Sequence, residues 1–341
     1  MRETITFDDV LLVPKYSEVL SRKEIDLSVD LGKGILLGCP FVSSPMDTVT
    51  ESVMAKSMHQ AGGLGVIHRY NTIEEQMHHV LSAMGDVEEN SGMNIAAAVG
   101  VSGDFAERAL ELSNIGVKII CVDVAHGHHI LMKDALSNLR KILGDDIHIM
   151  AGNVATLSGF NDLSDWGANS VRVGIGGGSI CSTRIQTGHG VPTLQSVIDC
   201  SATDRDALII ADGGMRSTGD VAKAIAGGAD LVMCGSIFAG TDQSPGEVFS
   251  SSDGKKYKVY RGMASIEAQR DWKGSHNSVE GVSTTIPYKG SVFDIISLMK
   301  KQLTSACSYS GAFNLRDFRN NSEFIIQSNS SQVESSTHIL K

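Results

Sequence analysis

Eight short apolar runs, each followed by a segment of helical periodicity, constrain this chain most strongly. The runs are Pro40-Phe-Val-Ser43, Leu64-Gly-Val-Ile67, Ile95-Ala-Ala-Ala-Val99, Lys118-Ile-Ile-Cys-Val122, Ile147-His-Ile-Met150, Ser170-Val-Arg-Val173, Leu208-Ile-Ile-Ala211 and Leu231-Val-Met-Cys234. Between them, stretches such as Phe105 to Asn114 and Gly219 to Ala226 repeat apolar residues every three to four positions, the period of an amphipathic helix. Glycines at Gly62-Gly63, Gly116, Gly167 and Gly227-Gly228 precede the next run, where a helix C-terminus needs a residue tolerant of positive φ. Alternating strand and helix buries a parallel sheet under helices. Eight such units in 341 residues predict an α/β chain, a single (β/α)8 TIM barrel spanning 1–341, with its chemistry at the strand C-terminal ends. A doubly wound sheet is the alternative, but no G-x-G-x-x-G follows the first strand.

Region 242–290 is too long for a simple βα loop. It predicts a hairpin around Ser252-Asp-Gly254 and then a mobile flap, so the barrel has an extended flap after strand eight. Gly85 to Gly92 is polar and reads as an exposed loop. The Ser-rich tail after Asn320 reads as an ordered arm or a partly disordered one.

A net charge of −10 argues against non-specific nucleic-acid binding, although phosphates can still be held by local N–H groups. No apolar run approaches the ~18 residues that span a membrane. The N-terminus lacks the apolar core of a signal peptide, and the six cysteines form neither a CxxC pair nor a zinc spacing. A reducing, cytoplasmic setting with no membrane or nucleic-acid partner is expected.

The strand ends carry the chemistry. After strand six comes Gly174-Ile-Gly-Gly-Gly-Ser-Ile-Cys-Ser-Thr183, a loop too rich in glycine to be built for packing, with one thiol in it. Thiolate is the strongest nucleophile available near neutral pH, so Cys181 beside Thr183 suits covalent catalysis. Gly213-Gly214 after strand seven and Gly235-Ser236 after strand eight stand where such barrels often bind phosphate. Asp123 and Asp212 each follow an apolar strand, where a carboxylate is costly unless it serves a ligand or caps a helix. Asp212 suits a ribose diol. His126, His128 and His129 lack the spacing of a metal site and are expected to line the mouth.

Together these residues resemble the inosine-monophosphate dehydrogenase and guanosine-monophosphate reductase family. The likeness rests on Thr6-Phe-Asp-Asp-Val-Leu-Leu-Val-Pro14, Ser44-Pro-Met-Asp-Thr-Val-Thr50, Gly152-Asn-Val154, Gly174 to Thr183, Ala211-Asp-Gly-Gly214 and Tyr260-Arg-Gly-Met263, and covers almost the whole chain. It implies a homotetramer of barrels acting on a purine mononucleotide with a nicotinamide cofactor. Gly85 to Gly92 leaves no room for the CBS modules that many of the dehydrogenases carry there.

By that resemblance Cys181 attacks C2 of the purine, while Thr183 and Glu280 handle the proton. Ser44, Met46, Ser179, Asp212, Gly213, Gly214, Gly235, Ser236, Tyr260, Gly262 and Met263 surround the nucleotide, and Asn153 and Arg172 position its ring. Asp123, Ala125, Ser305 and Tyr309 face the cofactor, NADPH or alternatively NAD. Backbone carbonyls of Gly176, Gly178 and Cys181 are implied to hold a monovalent cation, K+. The short segment from Met263 to Glu280 lacks the Arg-Tyr pair with which the dehydrogenase activates water. With Val279-Glu-Gly281 and Ser305-Ala-Cys-Ser-Tyr309 it resembles the reductase. Thr6 to Pro14, Ser43-Ser-Pro-Met46 and the tail Ser331 to His338 resemble the dehydrogenase instead. The flap carries the step that separates the two reactions, so GMP reductase is expected and IMP dehydrogenase is the alternative. A flavin-dependent barrel is a third reading, but it would not need the Cys181 loop.

Overall fold

The computed structural model describes residues 1–85, 93–274 and 280–335. The expectations placed on Gly85 to Gly92, on positions 275–279 and on the tail beyond 335 fall outside these residues, Gly85 itself excepted.

Eight parallel strands close into a barrel: β1 (Phe41–Ser43), β2 (Leu64–Ile67), β3 (Ile95–Val99), β4 (Ile119–Asp123), β5 (His148–Val154), β6 (Ser170–Val173), β7 (Leu208–Asp212) and β8 (Leu231–Cys234). Each pairs with its sequence neighbours, and β8 returns to β1. The helices between them are α1 (Ser52–Gln60), α2 (Ile73–Met84), α3 (Phe105–Asn114), α4 (Ile130–Leu143), α5 (Leu157–Asp165), the short α6 (Thr183–Thr187), α7 (Thr193–Cys200) and α8 (Thr218–Ala226). This is the (β/α)8 barrel that the alternation predicts. The fifth strand differs in extent from its predicted run: it continues through Gly152 and Asn153 to Val154, with a register shift against β6. Gly152 permits this, because a Cβ there would lie 2.5 Å from the Cβ of Arg172.

Alternation along the strands divides the core in two. On β3, Ile95, Ala97 and Val99 point outward to the helices, whereas Ala96 and Ala98 point into the barrel with Val42, Leu64, Val66, Ile119, Cys121, Met150, Ile210, Leu231 and Met233. Leu31, Ile35 and Leu37, on a hairpin that pairs Val29–Asp30 with Leu36–Leu37, join the inner cluster and close the N-terminal end. Each fully buried aliphatic side chain contributes about 1.5–3 kcal/mol, so filling that end leaves the opposite one free for a ligand.

Beyond β8, Phe249–Ser250, Lys256–Arg261 and Ser283–Pro287 form a three-stranded antiparallel sheet, with α9 (Ile266–Lys273) inserted between the last two strands. The third of these strands was not anticipated: Ser283-Thr-Thr-Ile-Pro287 carries one large apolar residue and gives no alternating signal. Next, α10 (Val292–Tyr309) packs on α8 as the eighth barrel helix. In the tail, Phe324–Ile326 pairs antiparallel with Val10–Leu12, and a helix follows over Asn329–Glu334. Among the described residues no helix is long and apolar enough to cross a membrane.

Candidate active site

The C-terminal ends of the strands and the flap enclose a cavity of about 400 Å³. Its wall takes Ser44 and Met46 after β1, Asp123 at the end of β4 and Ala125 just beyond it, Asn153 from β5 and Arg172 from β6. The Cys181 loop, Gly213 and Gly214, Gly235 and Ser236, and Tyr260, Gly262, Met263 and Glu280 from the flap complete it.

Cys181 stands apart from the other five cysteines, all of which are buried. Burial pushes the thiols of Cys121, Cys200 and Cys307 up to about 12, so they stay protonated and inert. Cys181 is half-exposed in the cavity, with Sγ 3.2 Å from Thr183 Oγ1. Thr183 Oγ1 in turn donates to Glu280 Oε2 at 2.9 Å, which makes a chain of three groups from sulfur to carboxyl. Backbone bonds lock the register of this contact. Ser182 N–H donates to Glu280 O at 2.9 Å, and Val282 N–H donates to Ile180 O at 3.0 Å. The glycine loop after β6 is thereby stitched to the flap strand.

A second network lies across the mouth. Asp212 Oδ2 accepts Asn153 Nδ2 at 2.8 Å and Arg172 Nε and Nη2 at 3.0 and 2.8 Å, which leaves Oδ1 for a ligand. Arg172 Nη1 donates to Asp123 Oδ1 at 2.5 Å, and Arg69 Nε lies 3.7 Å from Asp123 Oδ2. Burial would lower the Arg172 pKa, but the Asp212 and Asp123 carboxylates outweigh it and hold the guanidinium charged.

The third group sits where β7, β8 and the flap meet. Gly213 and Gly214 both have positive φ (79° and 83°), which turns the backbone back beneath the Cys181 loop. A Cβ at Gly235 would stand 2.9 Å from Tyr260 Oη and 3.2 Å from Met46 Sδ, so glycine alone leaves that wall open. Tyr260 Oη is 3.4 Å from Ser179 Oγ, and burial pushes its phenol up to about 12. The N-terminal motif supports this corner from behind: Phe7 is buried near Gly214, and its carbonyl accepts Lys223 Nζ at 2.7 Å.

Several expected residues are not in the cavity. Ser305 and Tyr309 lie on α10, where Ser305 Oγ donates to Lys301 O and Tyr309 is exposed; neither lines it. Nor do the three histidines after β4 line the mouth. His129 caps α4 by accepting Leu131 N–H, His128 pairs with Asp162 at 2.7 Å, and His126 is exposed. The chain turns outward there to start the helix. Gly176 and Gly178 do line the cavity, and the Gly178 carbonyl accepts the Cys181 N–H at 3.1 Å. Conversely, Arg69, Tyr70 and Gln269 line the cavity without having been anticipated. Arg69 and Tyr70 directly follow β2, a strand end like the others, and that position was the available signal. Gln269 had none, since it reaches the cavity through the fold of the flap.

The model of the IMP dehydrogenase / GMP reductase domain matches residues 4–338. The chain belongs to that family. An inosine-5'-monophosphate dehydrogenase of Nitrosopumilus maritimus is 34% identical over an alignment of 470 positions that covers 99% of this chain and 98% of that protein. One from Borreliella burgdorferi is 36% identical over 397 positions, covering 99% and 97%. Both alignments run longer than the 341 residues of this chain, so each relative contains residues that it lacks. Among solved structures, a Cys→Ala variant of GMP reductase from Trypanosoma brucei, in complex with guanosine 5'-monophosphate, superposes with a TM-score of 0.91. It is 28% identical and covers 99% of this chain and 98% of that one. Members of the IMP dehydrogenase / GMP reductase family are oxidoreductases of purine mononucleotides that use NAD(P), and this barrel is one of them.

Proposed function

We propose that this protein is a GMP reductase, converting GMP, NADPH and a proton to IMP, ammonia and NADP+. The observation that carries the reading is the hydrogen bond from Thr183 Oγ1 to Glu280 Oε2, made beside the Cys181 thiol. Expelling ammonia requires a proton on a poor leaving group, and a carboxyl linked through a hydroxyl to C2 supplies it.

In this reading the Cys181 thiolate forms a C–S bond to C2, and Glu280 acting through Thr183 protonates the departing amino group. Asp212 accepts the ribose hydroxyls on its free oxygen. Backbone N–H groups at Gly214, Gly235 and Ser236 hold the phosphate, with Ser44, Met46, Ser179, Gly213, Tyr260, Gly262 and Met263 around the nucleotide. A bound nicotinamide cofactor would supply the hydride to C2, and Cys181 would then leave as thiolate as the C–S bond breaks. Asp123, Ala125, Arg69 and Tyr70 would hold its nicotinamide half. The buried Arg69 Nε, which has no hydrogen-bond partner among the described residues, fits a polar ligand group there. Ser305 and Tyr309, which lie outside the cavity, are assigned no part in this reading. No step is assigned to a cation. A single catalytic unit over 1–341 with a flap at 242–290, a homotetramer and a cytoplasmic setting belong to the same proposal.

The second reading is IMP dehydrogenase, favoured by the names of the relatives above. Mixing the protein with GMP and NADPH, and separately with IMP and NAD, while following reduced-nicotinamide absorbance tests both. Conversion of IMP and NAD at a rate above that of GMP reduction would overturn the reductase.

A further inference from the structure

Arg172 was expected to position the purine, yet its guanidinium is committed to protein carboxylates. Nε and Nη2 donate to Asp212 Oδ2, Nη1 donates to Asp123 Oδ1, and Nη1 also lies 3.5 Å from Cys121 Sγ. Its side chain is 7% exposed. From β6 it reaches Asp212 on the adjacent β7 and, across β5, Asp123 on β4. Both carboxylates line the cavity, Asp212 followed in the chain by Gly213 and Asp123 by Val124 and Ala125. A planar guanidinium fork can hold both at once, whereas a lysine ammonium is a single point charge.

We propose that Arg172 couples the two halves of the cavity, so that the strength of Asp212 as an acceptor for the nucleotide depends on how much of the guanidinium Asp123 holds. The proposal rests on the reading above, with ribose at Asp212 and cofactor at Asp123. One buried cation shared by two anions divides its attraction between them, and the interaction is strong where water is excluded. A cofactor group that donates to Asp123 loosens its hold on Arg172. The guanidinium then neutralises Asp212 more fully, and the ribose hydroxyls bind a weaker acceptor. By linkage, nucleotide weakens cofactor by the same factor.

The test is calorimetric titration of GMP and of guanosine, without cofactor, into the wild type, Asp123→Asn, Arg172→Met and the double variant. Asp123→Asn is expected to weaken both ligands by at least about fivefold, the low end for coupled sites. Guanosine should lose as much as GMP, because the route runs through the ribose and not the phosphate. In the Arg172→Met background the same change should have no further effect. Because Arg172→Met leaves two carboxylates unpaired, Arg172→Lys serves as a second background, in which Asp123→Asn should again cost clearly less than in the wild type, so that the two changes are not additive. Unchanged affinity in Asp123→Asn overturns the coupling, as does a gain, which is what one fewer negative charge would give an anion at long range. So does the same loss persisting without Arg172. Undiminished GMP binding by Asp212→Asn would instead remove the ribose assignment, and the coupling as stated with it.

Discussion

Replacing Thr183 by Val removes one hydroxyl from the centre of the chain Cys181–Thr183–Glu280 and little else. Valine matches threonine in shape, and the backbone carbonyl that accepts Thr187 Oγ1 at 2.8 Å is untouched. Only the interactions of Oγ1 disappear, 3.2 Å to the sulfur and 2.9 Å to the carboxylate. A positioned proton donor contributes about 10²- to 10⁴-fold to rate. At 1.36 kcal/mol per decade, this corresponds to a barrier raised by about 3–5 kcal/mol. The loss should fall on kcat for ammonia release, with GMP affinity nearly unchanged, because the hydroxyl acts on the leaving group and not on ribose or phosphate. Stopped-flow oxidation of NADPH, a coupled ammonia assay and calorimetric titration of GMP separate these quantities. Glu280→Gln should give a similar loss, and the double variant should be scarcely worse than either single one, since the two groups act as a unit. A fall in kcat of less than about tenfold, or a matching fall in GMP affinity, would refute the relay.

Three further outcomes follow from the same geometry. Cys181→Ala should bind GMP yet show no turnover and no covalent adduct by intact-protein mass spectrometry; substantial residual activity would contradict nucleophilic attack. Gly235→Ala would set a methyl 2.9 Å from the buried Tyr260 hydroxyl, an overpacking of about 1–3 kcal/mol, and should weaken GMP more than guanosine in paired titrations. Burial holds His148 down at about 4, with Nδ1 donating to Leu31 O and Nε2 accepting from Ser170 Oγ. The unfolded chain, with its imidazole near 6.5, therefore binds the proton first as pH falls. Stability contributed by this residue is complete above about 6.5 and lost towards 4, by about 3 kcal/mol. Urea melts across that range should show this slope, and His148→Asn should flatten it.

The barrel was legible in the sequence because its signal is local. Strand runs recur eight times with helical periods between them, several closed by a glycine, and a closed parallel sheet is the arrangement that buries all of them. The Cys181 loop was legible for a related reason: glycines spaced around a thiol after a strand have no use in packing. Arg69 and Tyr70 escaped notice although they follow β2, because arginine and tyrosine after a strand read as ordinary surface residues. The flap strand Ser283–Pro287 escaped because its residues carry no alternation, and its pairing comes from Lys256–Arg261. The histidines after β4 misled because local sequence does not say in which direction a helix will leave the barrel.

What the sequence by itself determined was therefore the architecture, the nucleophile and the strand ends at which chemistry gathers. Only the tertiary structure decided which of those groups touch. Glu280 lies 97 residues from Thr183, and Asp123 lies 49 residues from Arg172. Periodicity carries no information over such separations, because those contacts are set by closure of the barrel and by the backbone bonds that stitch the flap onto the glycine loop.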